Sequence, residues 1–160
     1  EKLFERKIYL NTSNDVVNAV VNAKLSIASS LDIEVTCMSI YDFGDIDDVD
    51  LCRLLSNMLE NAITAFEKQH IENKSIIVNI SENDSSLFFV VRNSISDSVM
   101  ASNPKLHTTK SDKLNHGIGI EIIKDIAEKY HGKCDFYERN NMFHCVVILS
   151  KNAIIIIANS

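Results

Sequence analysis

The chain has 160 residues, enough for one domain with a sizeable core. Apolar residues make up 46% and charged residues 24%, with one proline and four glycines, a composition that excludes disordered and fibrous classes. A net charge of −6 argues against nucleic acid or an anionic membrane as the principal partner.

The charged, helix-like stretch from Glu1 to Lys7 has no start signal of its own, so residues 1–10 read as the end of a preceding helix or linker in a longer protein. Asn11-Thr12-Ser13-Asn14 is a cluster of helix-capping residues. Val17, Val20, Val21, Ile27, Ala28 and Leu31 then recur at helical spacing, which predicts a helix over about 13–31. Ile33 to Met38 alternates and is rich in β-branched residues, as a strand requires. After Gly44, Asp47 or Asp48 can cap the next helix, and Asp50 sits favourably in its first turn. That helix carries Leu51, Leu54, Leu55, Met58, Leu59, Ala62, Ile63 and Phe66, an unbroken apolar stripe at spacings of three and four.

Ser75–Ser81 and Ser86–Asn93 are β-rich runs separated by the turn-forming Glu82-Asn83-Asp84-Ser85, predicting an antiparallel hairpin. From Ser94 to Asn115 the periodicity disappears in a polar stretch holding Pro104, and so long a loop in a compact domain is expected to be functional, such as a lid. Gly117–Tyr130 is helical again, with Gly132 placed to end it. Lys133–Glu138 and Met142–Leu149 form a second hairpin across Arg139-Asn140-Asn141. The apolar run Ala153–Ala158 is a tail or a short last strand, and no run approaches the roughly 20 residues of a membrane span. Strand pairs alternating with single amphipathic helices predict an α+β fold. It would be a two-layer sandwich in which one mixed sheet is covered on one face by three helices.

Two short segments carry the chemistry. Asn57 and Asn61, four residues apart, share a helical face separated by about 6 Å of axial rise. That face points away from the leucine stripe, and Thr64 continues it. Carboxamide oxygens are hard, neutral ligands suited to Mg²⁺, and the amide nitrogens can donate to phosphate. Taken alone, the pair also reads as two solvated asparagines. Gly117 and Gly119 fall where the loop meets a helix, whose N-terminal amides bind anions and whose glycines let a phosphate approach. Taken alone, they also read as a tight loop-to-helix turn. Lys105, Lys110, Lys113, His107 and His116 concentrate cations just upstream in an otherwise acidic chain, which favours a polyphosphate ligand. Cys37, Cys52, Cys134 and Cys145 show no metal-ligand spacing and read as reduced, mostly buried thiols of a cytosolic protein. The five histidines form no zinc motif, and neither a nucleophile elbow nor a P-loop is present.

Leu55-Ser56-Asn57-Met58-Leu59-Glu60-Asn61-Ala62-Ile63 resembles the N box of the GHKL ATPases, the superfamily of gyrase, heat-shock chaperone, histidine kinase and mismatch-repair ATP-binding domains. Thr108-Thr109-Lys110-Ser111 with Asn115-His116-Gly117-Ile118-Gly119-Ile120 resembles the lid end and G box of its histidine kinases. The resemblance covers residues 11–150, leaving 151–160 as a tail, and is closest to the peptide-sensing, accessory-gene-regulator type of quorum systems. It implies a Bergerat fold that binds ATP with Mg²⁺, Asn61 holding the metal with help from Asn57. Gly117, Ile118 and Gly119 would offer backbone amides to the phosphates beside Thr109, Lys110 and His116. The adenine reader would be Asn93, at the end of a strand that leaves as Arg92-Asn93-Ser94, or else Asp97. The γ-phosphoryl group would go to a histidine on a separate dimerisation domain and on to a response regulator. The whole protein would be a homodimeric, membrane-anchored sensor with this domain in the cytoplasm. Two other readings of the same fold are a degenerate, non-catalytic interaction module and a serine kinase that acts as an anti-sigma factor.

Overall fold

A computed structural model describes residues 7–106, 117–153 and 159–160. Strands β1 (Glu34–Met38), β2 (Ser75–Glu82), β3 (Ser86–Ser94), β4 (Lys133–Arg139) and β5 (Met142–Ser150) form one sheet in the order β1-β2-β3-β5-β4. β1 runs parallel to β2 and the remaining pairs are antiparallel. Helices α1 (Asp15–Ser30), α2 (Asp48–Lys68) and α4 (Gly117–Lys129) pack on one face of this mixed sheet, with α2 between the other two. The expected sandwich and element order are those observed, and the gap after β3 also holds a single turn, α3 (Val99–Ser102). Four residues are too few to leave a periodic signature in the sequence.

The apolar stripe of α2 forms the centre of the core. Leu51, Leu54, Leu55, Met58, Leu59, Ala62, Ile63 and Phe66 are all buried, against Val17, Val21, Leu25 and Ala28 of α1 on one side and Ile123, Ile126 and Ala127 of α4 on the other. Beneath them, alternate strand residues point toward the helices: Ile76, Val78 and Ile80 of β2, Leu87, Phe89 and Val91 of β3, Cys145, Val147 and Leu149 of β5. The caps are local. Asn14 accepts from the Val17 amide, and Asp47, one of the two expected candidates, accepts from the amides of Val49 and Asp50 at 2.9 and 3.2 Å. The β4–β5 hairpin turns on Asn140 and Asn141, at φ 52° and 57°, the left-handed pair that a tight two-residue turn needs and asparagine tolerates.

The C-terminus of α4 differs from the sequence expectation. The left-handed residue is His131 (φ 50°), whose amide donates to Glu128 O at 3.0 Å while the Gly132 amide donates to Ala127 O at 2.8 Å, the paired bonds of a Schellman ending. Gly132 is required for a different reason: a Cβ there would lie 1.7 Å from the Ile148 carbonyl oxygen.

A polar latch joins α2 to α4. Asp50, 6% exposed, accepts from Lys129 Nζ and from the Tyr130 hydroxyl, both at 2.7 Å, and the hydroxyl in turn accepts from the Asp47 amide at 3.3 Å. Burial alone would raise the Asp50 pKa, but the two hydrogen bonds and the charges of Lys129 and Arg53 outweigh it and hold the carboxyl below its ordinary value.

Candidate functional site

The site lies where α2 and α4 diverge above the sheet. On α2, Asn57 and Asn61 are half-buried and leave the core on one face. Asn57 Nδ2 donates to Arg53 O at 2.6 Å, which turns Oδ1 outward. On α4, Gly119 is buried, and a Cβ built on it would lie 3.0 Å from Asn57 Oδ1 and 3.6 Å from Asn61 Oδ1. Two carboxamide oxygens therefore converge on one glycine in the first turn of the neighbouring helix. Residues with side chains at 119 would fill that space.

Next to this convergence a pocket of about 320 Å³ opens between α2 and the sheet. Its floor comes from three adjacent strands. Val91 and Asn93 of β3 pair with Cys145 and Phe143 of β5, and Phe136 of β4 pairs with Cys145, so all five side chains share the helix-facing side. Met58, Asn61, Ala62 and Thr64 of α2 form one wall, Ile120 of α4 closes one end, and Val99, Ser102, Asn103 and Leu106 stand opposite. The space is mostly apolar and edged by amides, which suits an aromatic base. Asn93 is 3% exposed, and its Nδ2 donates only weakly, at 3.3 Å, to Ser94 O, leaving Oδ1 as an acceptor in the pocket floor.

Of the predicted site residues, Asn57, Asn61 and Gly119 come together, Asn93 lies in the floor of the same pocket, and Gly117 opens α4. Ile118 is 55% exposed at that end of the helix. Asp97 does not line the pocket: its carboxylate is exposed and accepts from Ser96 Oγ at 3.2 Å. Thr109, Lys110 and His116, with Lys113 and His107, lie outside the described residues. Sequence reasoning missed the aromatic floor, because Phe136 and Phe143 sit on strands whose pairing decides which side chains become neighbours. It also missed Gln69 and Glu138, which hold the far wall.

No carboxylate lines this pocket among the described residues. Glu60, next to Asn61 in sequence, is turned toward α1 and ion-paired with Lys24. An amide cannot take up a proton at neutral pH, so the asparagine pair is equipped to bind and orient rather than to activate water. Burial pushes the Cys145 thiol in the floor well up, which keeps it protonated and unreactive. Desolvation also raises Cys37, to about 11. All four cysteines are free thiols. No group of three or more potential metal-ligating His, Cys, Asp or Glu side chains exists among the described residues, so a cation bound here would depend on neutral oxygens and on the ligand's own phosphates.

A two-layer sandwich with a cleft between its helices and sheet, edged by an asparagine pair and a glycine, defines a class of nucleotide-binding domain. A family profile described as the GHKL domain matches residues 46–150, more than half of the chain. The chain belongs to the GHKL domain family. Among solved structures it is similar to the nucleotide-free catalytic domain of histidine kinase ThkA, with TM-score 0.66 and 20% identity over 86% of this chain and 93% of that one. It is also similar to the histidine kinase AdeS of Acinetobacter baumannii, with TM-score 0.64 and 12% identity over 89% of this chain and 66% of that one. A mycobacterial sensor histidine kinase, MprB, matches with TM-score 0.56 and 18% identity over 82% and 93%. At these identities the likeness is one of fold. No curated protein matches the chain.

Proposed function

We propose that this chain is the ATP-binding catalytic domain of a two-component sensor histidine kinase. The observation that carries the reading is the convergence of Asn57 and Asn61 on Gly119 at the rim of an apolar pocket floored by Asn93. The base of ATP lies in the pocket, with the Asn93 carboxamide oxygen accepting from its exocyclic amino group. The triphosphate extends toward the first turn of α4, where backbone amides of Gly117, Ile118 and Gly119 meet its oxygens. Asn61, assisted by Asn57, is the protein ligand set for Mg²⁺. The hard neutral oxygens fit that ion, which when bound neutralises charge on the phosphates. The family resemblance would add Thr109, Lys110 and His116, outside the described residues, as phosphate-end residues, with the lysine supplying charge.

The nucleophile comes from outside. A histidine ring nitrogen on a separate dimerisation domain takes the γ-phosphoryl group, the bond from phosphorus to the β–γ bridging oxygen breaks, and ADP leaves. No carboxylate lines the pocket among the described residues, which suits this division of labour: the asparagine pair binds and orients the nucleotide and does not itself activate water. We place the domain at residues 11–150, with 1–10 as the end of a preceding helix or linker and 151–160 as a tail or short terminal strand. Its further partner is a response regulator, as the complex of ThkA with the response regulator TrrA illustrates for that kinase. The N-box and G-box segments favour the peptide-sensing, quorum type within the family. The full protein is then a homodimeric membrane-anchored sensor with this domain on the cytoplasmic side, and no helix among the described residues is long and apolar enough to cross a membrane.

A degenerate interaction module of the same fold would have no reason to keep a formed pocket with the asparagine pair aimed at Gly119. An anti-sigma serine kinase would share the pocket, but its gene would lack membrane spans and a histidine-bearing helix. Calorimetric titration with ATP and ADP, with and without Mg²⁺, tests the assignment. Magnesium-dependent binding is expected, and no binding of either nucleotide would refute it.

A further inference from the structure

The pocket wall facing α2 is made by a segment that lies outside the sheet and the three long helices. Val99, Ser102, Asn103 and Leu106 line the pocket, yet α3 is a single turn with no buried residue. A helix this short does not persist on its own hydrogen bonds. Two side chains from distant parts of the chain hold it instead.

Gln69, the residue that ends α2, accepts at Oε1 from the Ser96 amide at 2.9 Å and from Ser96 Oγ at 3.3 Å, and donates from Nε2 to Asp97 O at 3.1 Å. Glu138, near the end of β4, accepts at Oε2 from Ser98 Oγ at 2.6 Å and at Oε1 from the Met100 amide at 2.9 Å. Ser98 Oγ accepts in turn from the Ala101 amide at 3.0 Å, so Glu138 braces the residue that caps the turn. Upstream, the Ile95 amide donates to Asn141 O at 3.0 Å, fixing where the segment leaves the sheet. Gln69 also lines the pocket itself. The wall is thus pinned from the α2 side and from the β4 side, and both pins are polar groups that the core does not need.

We propose that Gln69 and Glu138 are positioning residues of the nucleotide pocket, setting the wall of residues 95–103 against which the base half of the ligand packs. This rests on the nucleotide reading above and adds to it a pair of residues outside the two sequence boxes. If the pins act on the wall alone, their loss weakens every ligand that carries the base by the same factor, because the phosphate end is untouched. Residues at the phosphate end would instead separate ATP from adenosine.

The test is titration of ATP, ADP and adenosine into the unmodified chain and into Gln69→Ala, Glu138→Ala and Glu138→Gln, with amide hydrogen exchange on each. Glu138→Ala and Gln69→Ala should each weaken all three ligands by about tenfold. Glu138→Gln keeps an oxygen for the Met100 amide, and should recover affinity to within about threefold of the unmodified chain. Exchange at Met100 and Ala101 should accelerate in the alanine variants while Phe89 and Val147 in the sheet stay as protected as before. Unchanged affinity in both alanine variants would overturn the proposal, as would a loss confined to ATP and ADP. A Glu138→Gln loss as deep as that of Glu138→Ala would also overturn it, by making charge rather than hydrogen bonding the cause. If the unmodified chain binds none of the three, the nucleotide assignment falls first and this inference with it.

Discussion

Gly119→Ala separates what the glycine does for the site from what it does for the fold. The added methyl would stand 3.0 Å from Asn57 Oδ1, where ordinary contact begins at 3.4 Å, so the carboxamide must retreat by about 0.4 Å. It has little freedom to do so, because its nitrogen is bonded to Arg53 O at 2.6 Å. Asn61 Oδ1, at 3.6 Å, is already at a normal separation and need not move. For the fold the account nearly balances: alanine gains about 0.8–1 kcal/mol over glycine inside a helix, and the tight contact returns a similar amount. The melting temperature should therefore stay within about 3 °C. For the ligand there is no such offset. Losing one oxygen that contacts a charged group costs about 1.5–3 kcal/mol, or roughly 10- to 160-fold in Kd. Titration of Mg-ATP and of adenosine into both proteins, with a thermal melt of each, reads all three quantities. The expected result is a large loss for ATP, little for adenosine and an unchanged melt. Equal losses for the two ligands would refute phosphate contact at this glycine.

Three further substitutions test other parts of the argument. Asn61→Ala should abolish the magnesium dependence of ATP binding while the circular dichroism spectrum and melting temperature stay as they are; an unaltered dependence in calorimetry would reject the metal role. Gly132→Ala should destabilise by about 3–5 kcal/mol, since a methyl 1.7 Å from the Ile148 carbonyl oxygen can be relieved only by prising the end of α4 off β5. A chemical denaturation midpoint equal to that of the unmodified chain would contradict this. Asp50→Asn should cost about 2–3 kcal/mol at pH 7, because it removes the charge that Lys129 and Tyr130 face. The Asp50 pKa is lowered by folding, so its contribution is complete above the unfolded value of about 4 and is lost as pH falls through the lower folded value. Stability measured from pH 7 to about pH 2 should thus fall less steeply for Asp50→Asn than for the unmodified chain, and parallel curves would sink the latch.

What could be read from the residues alone was whatever is settled within a few positions of itself. The α2 stripe, the Asp47 cap and the four-residue spacing of Asn57 and Asn61 are all consequences of helical geometry, and each stands as expected. Both hairpins follow from turn chemistry in the same way. What escaped depends on partners far along the chain. Asp50 looked like a favourable first-turn charge, and only the packing of α4 against α2 brings Tyr130, eighty positions on, to its carboxylate. Gly132 looked like a left-handed helix ending, whereas that conformation falls to His131 and the glycine answers to a carbonyl on β5. The aromatic floor of the pocket likewise requires that β5 lie between β3 and β4, an order that alternation within single strands does not specify.

The same distinction explains why the site was legible in part. Both faces of α2 are committed: the leucine stripe fixes its rotation against the sheet, and that rotation leaves Asn57 and Asn61 facing α4. A pattern strong enough to define the core therefore also defined the direction of the amides. Asn93 had no such support. Its alternative, Asp97, was the more acidic candidate, but strand β3 continues its alternation through residue 93, which turns that side chain to the helix-facing side and leaves residue 97 beyond the sheet in solvent. This geometry supports the proposed adenine-reading role for Asn93, and Asn93→Ala with Asp97→Ala as its control tests it: the first should weaken ATP and adenosine alike by about tenfold, the second neither. A loss in Asp97→Ala with none in Asn93→Ala would reverse the assignment.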